Sequence, residues 1–419
     1  MKVIRRHIGL KVFLSLFLIL LLAAAFFFVR ALIHRGGPDE FGDYTFSTDM
    51  PFSLDYFKSE NLYLPEGTED LRVMQIADPQ IKFGFMTHDK KTMDLLDRAI
   101  AAENPDICVV TGDLTLSVFT YDAYRYFADF MEEREQYWTL TFGNHDAEFD
   151  CSKHTLATLL DGYEYCLFSP GPDNLKGASN FLVNVFVGDK REPDYSLVML
   201  DSGMYPEDAP DGWVYDWLGE DQIAWYRWAI EGLQVLNPEI KTSLFMHIPT
   251  VEFAEMYYAS RLQNGNTLPE EIDPSVLLDV GGVHGIIGEE PKDPGELIDE
   301  GYDVGIFYQG KNTGLFDAVR ELGSTSGIFV GHDHMNTLGG YYGGIYLGYG
   351  LCCGYHTYPY FQKPNFLTKL LGLADSVMFN AQLLVDDEGN VIEKGVTMIE
   401  ISLADGTLTV TNHADSSYE

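Results

Sequence analysis

Five short hydrophobic runs recur along the chain, and each ends in a small polar motif. The runs have the length and composition of buried strands and occupy residues 71–77, 107–111, 138–142, 242–246 and 327–330. Segments with apolar residues at helical spacing precede four of these runs, at residues 91–103, 121–135, 221–236 and 314–322. Strands that alternate with helices predict βαβ units and therefore a mostly parallel sheet.

Four further apolar segments predict strands without helices between them, at residues 179–187, 197–201, 381–385 and 396–410. Together the two patterns predict a mixed α/β (α+β) fold, a layered β-sandwich flanked by helices. Residues 252–308 interrupt it, being rich in Gly, Pro, Glu and Asp. This excursion is either a lid or rim that shapes access to a site, or a solvated loop without such a role.

The first hydrophobic segment is different, because residues 12–29 contain one polar side chain, Ser15. Eighteen residues are just enough for a helix to cross the hydrocarbon core of a membrane. Four basic residues precede the segment and two follow it, so a cytoplasmic amino terminus is expected. A cleavable signal peptide is the alternative, although the run Phe26–Phe28 after three alanines makes a poor cleavage site.

These features predict a cytoplasmic tail at residues 1–11, a transmembrane signal anchor at 12–29 and a linker at 30–52. Residues 53–419 then form the main domain, which includes the excursion. The protein is expected to be a single-pass protein of the cell membrane, with the folded domain outside the cell.

The charge balance narrows the range of partners. The 419 residues carry a net charge of −37, and all residues after the first 36 contribute 21 basic and 64 acidic side chains. Such a surface repels nucleic acid and does not favour electrostatic docking on anionic lipid headgroups. A solubility device, or adaptation to salt or acid, would also account for the acidity.

The five cysteines do not have the spacing of a CxxC zinc site. Cys151 and Cys166 could form a disulfide outside the cell. The others, Cys108, Cys352 and Cys353, are expected to be packing residues.

The polar motifs at the strand ends contain metal-binding residue types. They are Asp78-Pro79-Gln80, Gly112-Asp113, Gly143-Asn144-His145-Asp146, His247 and Gly331-His332-Asp333-His334. Each motif alone could be a turn, a helix cap or a core histidine. Because functional sites form at the carboxyl ends of strands in α/β folds, five such motifs in order predict one shared site. The inventory suits two divalent cations bridged by a carboxylate.

The series D-x-(H/Q), GD, GNHD, H and GHxH resembles the calcineurin-like metallophosphoesterase superfamily, and in particular its purple-acid-phosphatase-like branch. The resemblance extends over residues 71–358 and implies two divalent metal ions (Mn, Fe, Mg or Zn). It implies that one metal is held by Asp78, Gln80, Asp113 and His334. It implies that the second is held by Asp113, Asn144, His247 and His332. The implied nucleophile is a hydroxide that bridges the metals.

The resemblance further implies that His145 donates a hydrogen bond or proton to the phosphate or leaving oxygen, and that Asp146 orients its imidazole. Two positions depart from the family pattern. Gln80 replaces a more usual histidine, which favours Mn²⁺, Mg²⁺ or Fe. Leu116 stands where purple acid phosphatases have a tyrosine ligand, so no tyrosinate–iron colour is expected.

The predicted function is therefore a metal-dependent phosphoesterase acting on phosphomonoesters or phosphodiesters. A small phosphoester is the expected substrate, because the acidic surface repels polyanions, and no nucleic-acid binding is expected. An inactive cell-surface binding protein on the same fold is the alternative from another class. A metallohydrolase acting on a bond other than a phosphoester, such as an amide, is the third.

Overall fold

The computed structural model describes residues 2–34, 42–83, 86–206, 215–262, 277–281, 309–334, 336–357 and 393–418. Within these ranges the chain forms two mixed β-sheets and seven α-helices. The strands are β1 (Leu62–Leu64), β2 (Asp70–Ile76), β3 (Ile107–Thr111), β4 (Trp138–Thr141), β5 (Phe181–Val187), β6 (Tyr195–Met199), β7 (Lys241–Phe245), β8 (Leu277–Gly281), β9 (Thr325–Val330), β10 (Gly339–Tyr342), β11 (Ile345–Tyr349), β12 (Gly395–Ser402) and β13 (Leu408–Ala414). The helices are α1 (Lys2–His34), α2 (Met86–Glu103), α3 (Thr120–Glu132), α4 (Lys153–Leu160), α5 (Glu220–Leu236), α6 (Val251–Leu262) and α7 (Leu315–Leu322).

The smaller sheet has the strand order β13-β12-β2-β3-β4, and the larger has the order β1-β5-β6-β7-β9-β11-β10-β8. In the smaller sheet β2, β3 and β4 run parallel to one another. In the larger sheet β6, β7, β9 and β11 are parallel neighbours. Each sheet therefore presents the carboxyl ends of several adjacent strands at one edge, as the alternating sequence pattern predicts.

One buried amide ties the two sheets together. The side chain of Gln75 in β2 is fully buried, and its Nε2 donates to Thr111 Oγ1 at 3.1 Å and to the carbonyl of Val330 at 2.9 Å. Thr111 ends β3 and Val330 ends β9, so the amide spans the sandwich beside the strand ends. A buried amide that lost these partners would be costly, which makes the relative position of the two sheets specific.

The predicted layered α/β sandwich is confirmed. The five predicted motif-bearing strands correspond to β2, β3, β4, β7 and β9, and the four predicted helices to α2, α3, α5 and α7. The single strand predicted at residues 396–410 is wrong. It is a hairpin of β12 and β13, because the chain reverses at Gly406, which has a φ of +73°. The strand predicted at 381–385 lies outside the described residues.

The predicted excursion at 252–308 is only partly described. Its beginning forms α6, and residues 277–281 form β8, which pairs with β10. The remainder lies outside the described residues, so its role as a lid or rim stays a prediction.

All five cysteines are free and buried, so the disulfide that Cys151 and Cys166 could have formed is not present. Cys166 forms an isolated β-bridge with Trp138, whereas Cys151 directly precedes the N-cap of α4. Both cysteines belong to the same hydrophobic core cluster, and neither is bonded to the other.

The amino-terminal helix α1 is longer than the predicted span. Residues Phe13–His34 have a mean hydropathy of 2.8 and are long and apolar enough to cross a membrane. After Val29 the helix continues to His34, and Phe46 and Phe52 pack against Trp228 at ring distances of 5.5 and 5.2 Å. The predicted linker at 30–52 thus contains both helix and packed side chains, and its boundaries as a domain limit stay a prediction.

Candidate metal centre

The predicted ligands converge where the two sheets meet. Asp78, Asp113 and Asn144 follow β2, β3 and β4 of the smaller sheet, whereas His247 and His332 follow β7 and β9 of the larger. Parallel strands place their carboxyl ends at the same edge, so three loops from one sheet face two from the other. Asp78, Gln80, Asp113, Asn144, His247, His332 and His334 are all buried.

One half of the site, called here the Asp78 half, consists of Asp78, Gln80 and His334 together with the shared Asp113. His334 Nε2 lies 3.3 Å from Asp78 Oδ1 and 3.2 Å from Gln80 Nε2, which itself lies 3.4 Å from Asp113 Oδ2. Ligand atoms of Asp78, Asp113 and His334 all lie within 4.8 Å of one another. Two carboxylates and one imidazole this close form a donor set suited to a divalent cation.

The other half, called the Asn144 half, consists of Asn144, His247 and His332, again with Asp113. Its centre is His247 Nε2, which lies 3.0 Å from Asn144 Oδ1, 3.3 Å from Asp113 Oδ1 and 3.2 Å from His332 Nδ1. Asp113 directs one carboxylate oxygen towards each half. A carboxylate that faces both halves in this way has the position required of a bridging ligand.

The hydrogen bonds around the Asn144 half indicate which atoms face inward. His247 Nδ1 lies 2.8 Å from the carbonyl of Thr111 and must donate to it, because a carbonyl can only accept. Asn144 Nδ2 donates to Tyr205 Oη at 2.8 Å, which turns Oδ1 towards His247. In the neutral imidazole, Nε2 then points a lone pair at two oxygen acceptors. Such a group of converging lone pairs fits a bound cation.

Without a cation, a proton on the His247 imidazole occupies the place between these oxygens. Burial lowers the pKa of His247, but the Asp113 carboxylate outweighs burial and raises that pKa to about 9. Burial likewise raises the pKa of Asp113, yet His247 and His145 bring it far below its usual range. The pair therefore holds opposite charges, and a divalent cation would displace the imidazole proton.

Backbone strain is concentrated at the ligands. Among the described residues, seven non-glycine residues have positive φ, and four are predicted ligands: Asp78 (51°), Gln80 (42°), Asp113 (49°) and His332 (75°). Residues other than glycine adopt this region rarely and at a cost. The strain lets each strand end turn its side chain back into the site.

The glycine that precedes each of three ligands is required by close packing. A Cβ on Gly112 would lie 2.5 Å from His247 Nδ1, and one on Gly331 would lie 2.6 Å from the carbonyl of Thr111. A Cβ on Gly143 would clash with the Asp113 carboxylate. These glycines let the two sheets approach closely enough for their ligands to meet.

His145 lies at the edge of the site, with 27% of its side chain exposed. Its Nε2 is 3.8 Å from Asp113 Oδ2, and its Nδ1 is 2.9 Å from Glu148 Oε1. Burial lowers the pKa of His145, but Asp113 and Glu148 raise it to about 9. Its position and charge suit contact with a phosphate oxygen.

The predicted role of Asp146 needs correction. Its carboxylate accepts backbone hydrogen bonds from Gly143 at 2.7 Å and Thr115 at 3.1 Å, and so joins the loops after β4 and β3. The carboxylate beside the His145 imidazole is instead Glu148, which the sequence analysis did not select. Glu148 lies three residues after His145 in the sequence, and this spacing is the feature that could have identified it.

Two tyrosines complete the surroundings. Tyr205 Oη accepts from Asn144 Nδ2 and donates to Glu148 Oε1 at 3.2 Å, linking a predicted ligand to the partner of His145. The ring of Tyr215 meets His332 edge-on at 4.3 Å and limits its rotation.

The chain is similar to one family model and to several known proteins. The calcineurin-like phosphoesterase family model matches residues 71–282. Probable inactive purple acid phosphatase 14 of Arabidopsis thaliana is 25% identical over 323 residues, covering 68% of this chain and 71% of the relative. Probable inactive purple acid phosphatase 28 of the same plant is 24% identical, covering 74% and 76%. Phosphatase DCR2 of Saccharomyces cerevisiae is 27% identical, covering 51% and 39%.

Among solved structures, a dimetal phosphatase from Danio rerio aligns with 83% of this chain and 100% of its own, at 13% identity and a TM-score of 0.41. The Plasmodium protein GAP50, described as the anchor in the inner membrane complex, aligns with 84% of this chain and 87% of its own. That alignment has 10% identity and a TM-score of 0.43.

Proposed function

The chain belongs to the calcineurin-like phosphoesterase family, and we propose that it hydrolyses phosphomonoesters or phosphodiesters at a dinuclear metal centre. The observation that carries the proposal is the convergence of lone pairs on His247 Nε2, with Asn144 Oδ1 at 3.0 Å and Asp113 Oδ1 at 3.3 Å. Buried acceptors need a positively charged or donating partner, and a divalent cation bound between them would satisfy all of them at once.

The proposed ligands of one metal are Asp78, Gln80, Asp113 and His334. The proposed ligands of the second are Asp113, Asn144, His247 and His332. Divalent cations held there would polarise a phosphoryl group and lower the pKa of water, which is the chemistry that phosphoester hydrolysis needs.

The protein's own part is to position the groups around the phosphate. Thr111 fixes the tautomer of His247, and Tyr205 fixes the amide of Asn144. His145, at the edge of the site, would donate a hydrogen bond to the phosphate or leaving oxygen, with Glu148 holding its other ring nitrogen. Asp146 would keep the two loops that carry Asp113 and Asn144 in register.

The alternative function is that of an inactive binding protein on the same fold. It draws support from the names of two relatives, both plant proteins called probable inactive purple acid phosphatases. In this chain, however, each predicted ligand position keeps a side chain that can bind metal. A binding protein would retain the fold without turnover, so activity and metal content must be measured together.

The test uses the full chain in detergent, stripped of metal and reconstituted with Mn²⁺. Hydrolysis of p-nitrophenyl phosphate and bis-p-nitrophenyl phosphate is followed for the protein and for Asn144→Ala and His247→Ala. His413→Ala, a histidine in β13, is the matched control. Metal-dependent turnover that both site variants lose and the control keeps would support the proposal. Bound metal without turnover would favour the binding protein.

We also propose that α1 is an uncleaved signal anchor that holds the folded domain outside the cell. Its support is the apolar span Phe13–His34 and the basic residues that flank residues 12–29. Protease added to intact cells should then digest the domain and leave the amino-terminal tail protected. Release of the domain into the medium would identify a cleaved signal peptide instead.

A further inference from the structure

The end of α1 is docked on the folded domain. Arg30 Nη2 contacts Asp122 Oδ2 at 2.8 Å and Asp150 Oδ2 at 2.7 Å, and the side chain of Asp150 is 5% exposed. The carbonyl of His34 accepts hydrogen bonds from the backbone of Ser152 at 3.1 Å and from the Thr155 hydroxyl at 2.6 Å. Charge-assisted bonds to a buried carboxylate fix direction as well as position. The helix therefore leaves the domain at a set angle.

The docking surface is formed by the loops that also carry site residues. Asp150 lies in the loop after β4, five residues beyond His145, and Asp122 follows the loop that begins with Asp113. The ring of Phe27 lies 5.8 Å from that of Phe119 in the same loop. Since Phe27 is two residues from the end of the apolar run, Phe119 is level with the last turn of the predicted membrane span.

Exposed apolar side chains occur on the same loops of the domain. Outside α1, eight large hydrophobic residues of the described chain are exposed: Tyr63, Phe83, Val118, Tyr126, Tyr137, Phe149, Val235 and Leu236. Four of them, called here the apolar rim, lie on α3 or on the loops after β2, β3 and β4: Phe83, Val118, Tyr126 and Phe149. Rings of Phe83 and Tyr126 are 6.1 Å apart.

The apolar rim is also close to the candidate metal centre. Phe83 is three residues from Gln80, Phe149 is four from His145 and Val118 is five from Asp113. Because an extended chain spans at most about 3.6 Å per residue, the Cα atoms of these three rim residues lie within roughly 18 Å of those site residues. Aromatic and aliphatic side chains at this level beside a membrane helix are typical of residues that enter the lipid interface.

We propose that the apolar rim rests on the lipid bilayer crossed by α1, and that the site takes phosphoesters carried by membrane lipids. The second part rests on the proposed phosphoesterase function. The acidic surface excludes attraction to anionic headgroups as the cause of contact. The contact is therefore apolar, and it forms equally well on neutral phosphatidylcholine and is insensitive to salt.

The first test measures contact directly. The five native cysteines are buried, so V118C and V235C in the full chain can each be labelled with one fluorescent dye. Val235 lies on α5 and is 83% exposed, which makes it the matched control. In phosphatidylcholine nanodiscs holding one protein each, nitroxide-headgroup lipids should quench the dye at position 118 about threefold more than at 235. Equal quenching, or contact only when several copies share a disc, would overturn the proposal.

The second test separates the substrate from the chemistry. Phosphatidic acid in the same discs is the lipid probe, and p-nitrophenyl phosphate is the soluble one. Val118→Asp should lower the rate on phosphatidic acid about tenfold, because a charge opposes insertion, and leave the soluble rate within about twofold. Val235→Asp should change neither.

The two parts can fail separately. Turnover of the soluble ester without turnover of phosphatidic acid, or a Val118→Asp effect on both, would overturn the lipid substrate and leave the proposed function standing. Selective quenching at position 118 without any turnover would support membrane contact and contradict the phosphoesterase.

Discussion

In the Asn144 half of the site, hydrogen bonds from groups outside the ligand set orient two of the side chains, whereas in the Asp78 half two ligands that flank one proline both lie on strained backbone. Thr111 and Tyr205 hold His247 and Asn144 from behind. Asp78 and Gln80, which flank Pro79, instead have φ values of 51° and 42°. The first half should therefore respond to loss of supporting side chains, and the second to changes in backbone packing.

Removing the shared ligand tests whether the halves depend on one carboxylate. Asp113→Asn should lower turnover of p-nitrophenyl phosphate about 10³-fold, because the bridging charge is lost and the amide offers one metal-binding oxygen in place of two. Metal content per chain, measured by mass spectrometry, should fall in parallel. The exposed Asp97→Asn on α2 is the control. A variant that kept two metals would contradict the bridging position.

Tyr205→Phe tests the support of the Asn144 half. The change removes the acceptor for Asn144 Nδ2 and frees the amide to rotate, which should weaken one metal about 10–100-fold. Calorimetric titration should separate one weakened site from one unchanged site. Tyr63→Phe, at an exposed tyrosine of β1, should leave both unchanged. Equal weakening of both sites would show that the halves are not independently supported.

Gly331→Ala tests the close packing of the two sheets beside Asp78. The added methyl would lie 2.6 Å from the carbonyl of Thr111 and 2.8 Å from Asp78 Oδ2, and should lower the free energy of unfolding by about 1–3 kcal/mol. Gly162→Ala is the control, since the nearest atom to its Cβ would be 3.4 Å away. Thermal unfolding of the metal-free proteins measures the difference. An unchanged midpoint for Gly331→Ala would mean that the sheets can separate at little cost.

Gln80→His should have the smallest effect. It should change which metal ion the Asp78 half prefers and leave the number of bound ions unchanged. Imidazole is a softer donor than an amide oxygen, so the Asp78 half should shift from Mn²⁺ towards Zn²⁺ by about tenfold in relative affinity. Competition between the two ions reports the shift. A comparable shift in the Asn144 half would argue that the two positions are coupled.

Much of the arrangement follows from local sequence. Buried strands such as 107–111 and 242–246 have clear hydrophobic patterns, and the rule that parallel strands share an edge brings Asp113 and His247 together. The ligand roles stay predictions, but their proximity was foreseeable. The hairpin at residues 396–410 was not separated into two strands because both arms are similarly apolar, and only the turn at Gly406 divides them.

Other features depend on contacts that no local pattern encodes. Gln75 meets Val330 across 255 residues, and Arg30 meets Asp150 across 120. Asp146 was assigned to His145 because the two are adjacent in the motif, yet its oxygens satisfy backbone amides of two loops. Glu148 lies one turn further along and was missed. Packing between the loops determines which carboxylate lies beside His145, and sequence spacing alone does not fix that packing.

The buried Gln75 amide has a consequence for the order of events during synthesis. Its two partners are Thr111, at the end of β3, and Val330, at the end of β9. The ribosome makes β3 early and β9 much later. A growing chain that has completed β4 but not β7 carries Asp78, Asp113 and Asn144 without His247, His332 and His334. The proposed ligand set is therefore complete only once the chain has passed β9, and a polypeptide that ends earlier carries an incomplete set.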